Sequence, residues 1–174
     1  MQVPVLKTPR LTLRAHRLED FGAFKEVWRQ PEVIKHTIGT PSTEQQSWMR
    51  LMNYLGHWEL LSFGYWAIEE SRTGNYIGDI GFADFKRELD PSIQGIPESG
   101  WILSRDVHGK GYAKEALTAI LEWGDLHLPS SKTVCLINPE NTRSIDLAEK
   151  NGYTKKQETV FNGKPTILFE RLKN

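Results

Sequence analysis

Cysteine is nearly absent. Cys135 is the single copy in 174 residues, so no intrachain disulfide staples the chain and its stability has to come from a packed core. That usage suits a reducing compartment. Neither sign of charge is in excess: Lys plus Arg number 22 and Asp plus Glu number 22, a formal net charge of +0. Proteins that bind nucleic acid draw most of their non-specific affinity from a basic surplus, and this chain has none. No apolar run approaches the ~20 residues that span a bilayer, and Met1 to Lys7 hold no apolar stretch of signal-peptide length. Internal repeats, low-complexity tracts and linkers are missing too. With 39% hydrophobic and 25% charged residues the composition is that of a globular protein. The expectation is one cytoplasmic domain over residues 1–174, with neither nucleic acid nor membrane as a partner.

Along this chain the hydrophobic period switches repeatedly. Arg10 to His16 alternates, with Leu11, Leu13 and Ala15 on one face, which predicts a strand. Phe21, Phe24 and Trp28 recur at helical spacing between Leu18 and Arg29, and Pro31 marks the end of that helix. Ser42-Thr43 followed by Gln45-Gln46 offers a cap, and Trp48, Leu51, Met52 and Leu55 continue as an amphipathic helix. Tyr65–Glu70 and Tyr76–Phe85 read as a hairpin about Thr73-Gly74-Asn75. A loop over Lys86–Pro97 precedes a strand from Glu98 to Ser104. A helix follows from about Gly111 to His127, burying Ala113, Ala116, Leu117, Ile120 and Leu121. Thr133–Ile137 is a short strand, Asn141–Lys150 a helix closed by Asn151-Gly152. Tyr153–Phe161 and Thr166–Leu172 are strands joined through Asn162-Gly163, a hairpin signal because both central positions of a type I′ turn need positive φ. The result is an α/β (α+β) chain. Its central sheet is mixed and mostly antiparallel, of about seven strands, flanked by about four helices, and it lacks the regular alternation of a doubly wound fold.

The most informative segment is His108-Gly109-Lys110-Gly111-Tyr112-Ala113. A strand ends, two glycines turn the chain and a helix begins. The first amides of a helix have no partners within it and sit at the positive end of its dipole, so they suit an anion. Glycine at 109 and 111 removes side chains that would block a phosphate. A nucleoside-triphosphate loop would need two glycines spanning four residues and then Lys-Ser/Thr. A dinucleotide fingerprint would need a third Gly or Ala where Lys114 stands. The bland alternative is a glycine turn before an ordinary helix.

This segment resembles the acyl-CoA pyrophosphate loop of the GNAT acetyltransferase superfamily, a Gln/Arg-x-x-Gly-x-Gly/Ala pattern from which the His108 position departs. Four further segments fall in that superfamily's order. They are Thr8-Pro9-Arg10-Leu11-Thr12-Leu13-Arg14, Tyr76-Ile77-Gly78-Asp79-Ile80-Gly81, Glu98-Ser99-Gly100-Trp101-Ile102-Leu103, and Asn141-Thr142-Arg143-Ser144 with Glu149-Lys150-Asn151-Gly152-Tyr153. They are most similar to the branch holding the ribosomal-protein N-terminal (alanine/serine) acetyltransferases, and the likeness runs from Thr8 to Leu172. It implies a GNAT-like fold, acetyl-CoA as acyl donor without a metal, and direct attack by an amine acceptor, either a protein N-terminus or a small molecule. By analogy alone it also allows a homodimer.

Residue by residue, the resemblance implies a general base at Glu98 and a thioester-polarising backbone amide near Leu103. It implies pyrophosphate binding by His108, Gly109, Lys110, Gly111, Tyr112 and Ala113, a contact from Asn141 to the pantetheine arm, and a proton donor at Ser144. Asn and Ser also serve as ordinary helix caps, and Glu98 could be a solvated strand-end carboxylate. The tyrosine acid that many relatives carry one turn beyond Ser144 is Ala148 here, which leaves open a non-catalytic acyl-CoA-binding or sensor domain. Trp48 and Trp58 could border the acceptor or pack in the core. Cys135 reads as core, and the five histidines lack metal-ligand spacing.

Overall fold

Residues 3–173 are described by a computed structural model; Met1, Gln2 and Asn174 lie outside the described residues. Eight strands form one sheet: β1 (Leu6–Lys7), β2 (Leu11–Arg14), β3 (Tyr65–Glu70), β4 (Tyr76–Ala83), β5 (Glu98–Leu103), β6 (Lys132–Ile137), β7 (Thr154–Phe161) and β8 (Lys164–Leu172). Five α-helices accompany them: α1 (Phe21–Val27), α2 (Pro31–Ile34), α3 (Glu44–Leu61), α4 (Tyr112–His127) and α5 (Thr142–Lys150). The sheet order is β1-β2-β3-β4-β5-β6-β8-β7. Only the β5–β6 pair is parallel; the rest are antiparallel. The expected mixed, mostly antiparallel α/β fold is therefore present, with one strand and one helix more than the sequence reading counts.

The extra elements are short. β1 has two residues and pairs only with β2, too little for an alternating pattern to register. Pro31 does not simply end a helix: it is the first residue of α2, where its missing N–H costs nothing because that donor would have no helical partner. The cap of α3 is as read, with Thr43 accepting from the Gln46 amide and the Gln46 side chain returning to the Thr43 amide. The β7–β8 turn holds Asn162 at φ 51° and Gly163 at φ 73°, the paired positive values that a two-residue hairpin requires.

Both faces of the sheet are covered. On one, Phe24, Val27, Trp28, Leu51 and Tyr54 from α1 and α3 pack on Tyr65, Ala83 and Ile102. On the other, Ala116, Leu117, Ile120 and Leu121 of α4 and Ala148 of α5 pack on Leu13, Ile68, Ile80, Phe82, Cys135 and Phe169. Successive strand residues point to opposite faces, so Tyr65 serves the first core and Trp66 the second. Cys135, 1% exposed, is a core residue as read.

One feature of the sheet positions the site. β5 and β6 share a single register pair, Glu98 with Val134, anchored where the Val134 amide donates to the Pro97 carbonyl at 3.1 Å. Beyond that point the two strands part. A parallel pair separates readily because it needs no tight turn to hold its ends together.

Candidate active site

A groove of about 2070 Å³ follows that parting, well above the ~300–1,000 Å³ of an ordinary small-ligand site. It has room for two reactants end to end. Every sequence-predicted site residue except Lys110 lines it: Glu98, Leu103, His108, Gly109, Gly111, Tyr112, Ala113, Asn141 and Ser144.

At one end, β5 runs through a 3-10 turn (Arg105–Val107) into the glycine turn and α4. Gly109 at φ 77° and Gly111 at φ 80° are in the left-handed region, which costs a residue with a Cβ about 1 kcal/mol or more. A Cβ on Gly109 would meet nothing within 4 Å, so the chain's hollow side is open. The first helical bond of α4 runs from the Glu115 amide to the Gly111 carbonyl. The amides of Gly111, Tyr112, Ala113 and Lys114 come before it and have no acceptor in the helix. Among the described residues no other protein group accepts from the amides of 109–113.

The back of this turn is tied down. Arg10 donates to the Lys110 carbonyl at 2.8 Å and to Glu115 at 2.7 Å, and Thr8 donates to the same carboxylate at 2.6 Å. Burial would raise the Glu115 pKa, but these hydrogen bonds outweigh it and hold the carboxyl below its usual value. Lys110 therefore contributes a braced carbonyl. Arg10 also lies 4.5 Å over the Tyr112 ring, whose hydroxyl donates to Glu70 at 2.7 Å. The His108 ring turns inward and its Nε2 donates to the Leu103 carbonyl at 2.9 Å, linking the turn to the strand end.

The Leu103 amide faces the parting. The Ser104 amide donates to Ile77 across to β4. Because amides alternate along an antiparallel strand, those of Trp101 and Leu103 point the other way, to the edge that β6 has left. Across the gap, Asn141 caps α5 with its Oδ1, accepting from the Ser144 amide at 3.3 Å; its Nδ2 donors are not used by that cap. The Trp101 indole donates to Ser144 Oγ at 3.2 Å, so the serine keeps its own proton to give. Ala148, one turn beyond Ser144, does not line the groove and is fully buried in the core.

Glu98 stands at the other end of β5. Five residues at ~3.3 Å each put it about 16 Å from Leu103 along the strand, so the groove does not bring the carboxylate to the cradle. Glu98 is 7% exposed and takes two hydrogen bonds from Arg87, 2.6 and 3.0 Å. The Arg87 guanidinium is itself held between the rings of Phe85 and Phe161, at 4.6 and 4.5 Å.

Tyr65 escapes sequence reading. Its ring stacks on Tyr54 at 4.2 Å and 4°, and its hydroxyl lies over Gly100 so closely that a Cβ there would collide with it. Burial, then the charge of Glu98, pushes its pKa up, so the phenol stays protonated. Nothing in the local sequence marks it, because the Tyr54 contact joins a helix to a strand. Trp48 and Trp58 do not line the groove: Trp58 is core and donates to the Tyr65 carbonyl, and Trp48 packs on Phe21. The face of α3 that does line it carries Arg50, Asn53 and Tyr54.

An α/β sheet that parts beside unbonded helix-start amides, with a carboxylate further along the parted strand, is the frame of an acyl-transfer enzyme. Residues 10–154 match the model of the acetyltransferase (GNAT) domain, and the chain belongs to that family and so to the acyltransferases. An uncharacterized N-acetyltransferase, p20, of Bacillus licheniformis is 31% identical over 86% of this chain and 82% of its own. The crystal structure of an acetyltransferase from Agrobacterium tumefaciens superposes with a TM-score of 0.83 at 27% identity, covering 98% of this chain and 95% of that one. Two more distant structures share the fold. One is spermidine N-acetyltransferase of Vibrio cholerae in complex with CoA and spermine, with a TM-score of 0.74 at 18% identity over 95% and 97% of the chains. The other is the ribosomal-protein-S5-alanine acetyltransferase of Vibrio fischeri, at 0.75 and 15% over 99% and 98%. Among the described residues no helix is long and apolar enough to cross a membrane.

Proposed function

We propose that this acyltransferase takes its acetyl group from acetyl-CoA and delivers it to a primary amine. The observation that carries this is the row of unbonded amides at 109–113, open on one side and braced by Arg10 on the other. A diphosphate suits such a row, since each charge-assisted hydrogen bond is worth about 1.5–3 kcal/mol. From there the parting between β5 and β6 offers an elongated ligand two polar walls, the Leu103 edge and the Asn141–Ser144 start of α5. The Leu103 and Trp101 amides are fixed dipoles able to polarise a carbonyl, usually the larger part of acyl-transfer catalysis. Ser144 is the group positioned to return a proton to a departing thiolate. Glu98, three residues along β5 from Trp101, takes the proton from the incoming amine through intervening water. A carboxylate offers about four lone-pair sites, and Arg87 uses two.

The acceptor is a matter for chemistry rather than fold, since the two distant neighbours act on a polyamine and on a ribosomal protein. A peptide α-amine, with pKa ~7.7–8.0, asks less of the base than a lysine-like amine at ~10.4, which favours a terminal amine. The test is the melting temperature with and without CoA, then thiol release from acetyl-CoA with a panel of amines. Saturation at one hundred times Kd adds ~2.7 kcal/mol and a clear rise in Tm. A chain that CoA leaves unshifted does not work this way.

A further inference from the structure

Resting on that reading, we infer that the acceptor amine carries an anionic group, a carboxylate or a phosphate, which docks on Arg50. Among the described residues the arginines divide cleanly. Arg10, Arg14, Arg29, Arg72, Arg87, Arg105 and Arg171 each lie within ion-pair distance of an acidic side chain. Arg17 and Arg143 are exposed, where water serves. Arg50 is half-buried in the groove wall and has no acidic partner.

Its position is nevertheless well defined. The guanidinium lies 3.8 Å over the Trp28 ring and donates one bond, Nη1 to Ser42 Oγ at 3.0 Å. A guanidinium has five N–H donors, so most of the fork is left for something else. The nearby groups supply no ion-pair partner: the charge of Asp79 favours the guanidinium only from a distance, and burial outweighs it. Asp79 is fully buried, accepts from His16 at 2.7 Å and stands beyond ion-pair reach of Arg50. The Tyr54 and Tyr65 phenols are pushed up by burial and remain neutral. A half-buried cation without an anion is costly, and burial pulls the Arg50 pKa down. A planar fork stacked on an aromatic ring is instead well suited to a carboxylate or phosphate arriving from the groove.

The placement fits the chemistry. Arg50 stands one helical turn before Tyr54, and Tyr54 stacks on Tyr65, whose hydroxyl lies over Gly100 of β5. An acceptor with its anion on Arg50 can therefore extend its amine along the tyrosines towards the mid-strand and Glu98. The same charge works against a polyamine, because the site would oppose a second ammonium.

Acetyl transfer by the full-length protein to matched pairs tests this: β-alanine against β-alaninamide, phosphoethanolamine against ethanolamine, and glycyl-aspartate against glycyl-asparaginamide, with spermidine alongside. The expected result is kcat/KM at least about tenfold higher for the anionic member of at least one pair. Arg50→Gln should erase that preference through KM, with kcat and the rate on the neutral partner little changed. Arg50→Lys should recover part of it. Neutral amines or spermidine used as well as the anionic acceptors, or a preference that survives Arg50→Gln, overturns the inference and leaves acetyl transfer standing. Failure to acetylate any member by a chain that CoA stabilises also overturns it. An unshifted Tm with CoA strikes the acetyl-transfer reading beneath.

Discussion

A carboxylate as buried as Glu98 needs its charge answered, and Arg87 answers it on both oxygens while two aromatic rings hold the guanidinium in place. A base held this firmly contributes by position. Replacing it with Gln, which cannot accept the proton, should lower kcat by about 10²-fold near neutral pH. The loss should shrink as pH rises and more of the amine arrives already deprotonated. A kcat profile from pH 6 to 9.5 measures this, and wild-type rates across that range would remove Glu98 from the reaction. Gly100 makes a second residue-scale case. A methyl group at this position would run into the Tyr65 hydroxyl. Gly100→Ala should therefore cost about 1–3 kcal/mol of stability and lower kcat while leaving CoA affinity near wild type. Equal losses in kcat and CoA affinity would mean that the whole strand has moved, not the tyrosine.

The glycine turn and the start of α4 act as one element, and the sequence shows half of it. Two glycines before an amphipathic helix are legible as an anion site because helix-start amides are orphaned by geometry alone. The brace is not legible. Arg10 reaches Glu115 from a position 105 residues away, and no local pattern records such a pairing. The same distinction runs through the site. Asn141 as a cap is legible from local chemistry, whereas Arg87 to Glu98, Trp101 to Ser144 and Tyr54 to Tyr65 join separate elements. Ala148 shows what the local pattern conveys about packing: a small residue one turn beyond Ser144 on the same face of α5, at a place sealed into the core. At this scale Gly111→Glu is the informative change. The backbone strain at φ 80° should cost about 1–3 kcal/mol. The added side chain, its Cβ 3.4 Å from Arg10, brings a carboxylate that competes for the guanidinium bracing the turn and puts a negative charge beside the anion site. The variant should stay folded and lose the Tm rise with CoA. A rise equal to wild type would mean that the diphosphate binds elsewhere.

For the whole molecule, seven of the eight strands and the mostly antiparallel character follow from alternation and turn residues, but the two-residue β1 and the sheet order do not. β8 inserts between β6 and β7, and only packing distinguishes that order from a simple meander. The ion pairs that secure the assembled sheet have a consequence for pH. Burial alone would raise the Asp20 pKa, but Arg14, at 2.7 and 2.8 Å, and the Arg17 amide hold it below the usual carboxylate range. Glu115 is lowered in the same sense by Thr8 and Arg10. In the unfolded chain both return to ordinary values near ~4, so below that pH the unfolded state binds more protons. The stability they contribute is present above ~4 and lost as pH falls through the depressed folded values. The net shift is opposite for the phenols of Tyr54 and Tyr76, where burial is not outweighed and pushes the pKa values well above 10. Their contribution is full below the ordinary ~10 and fades as pH rises beyond it. Scanning calorimetry from pH 2 to 11 should therefore give a Tm plateau between about 5 and 9 with a fall on each side. Asp20→Asn should lower the plateau, because it leaves Arg14 with only Glu69, and should flatten the acid limb, because the group that binds the extra proton is gone. An acid limb of unchanged steepness in that variant would assign the fall to other carboxylates and exclude the Arg14–Asp20 pair as its source.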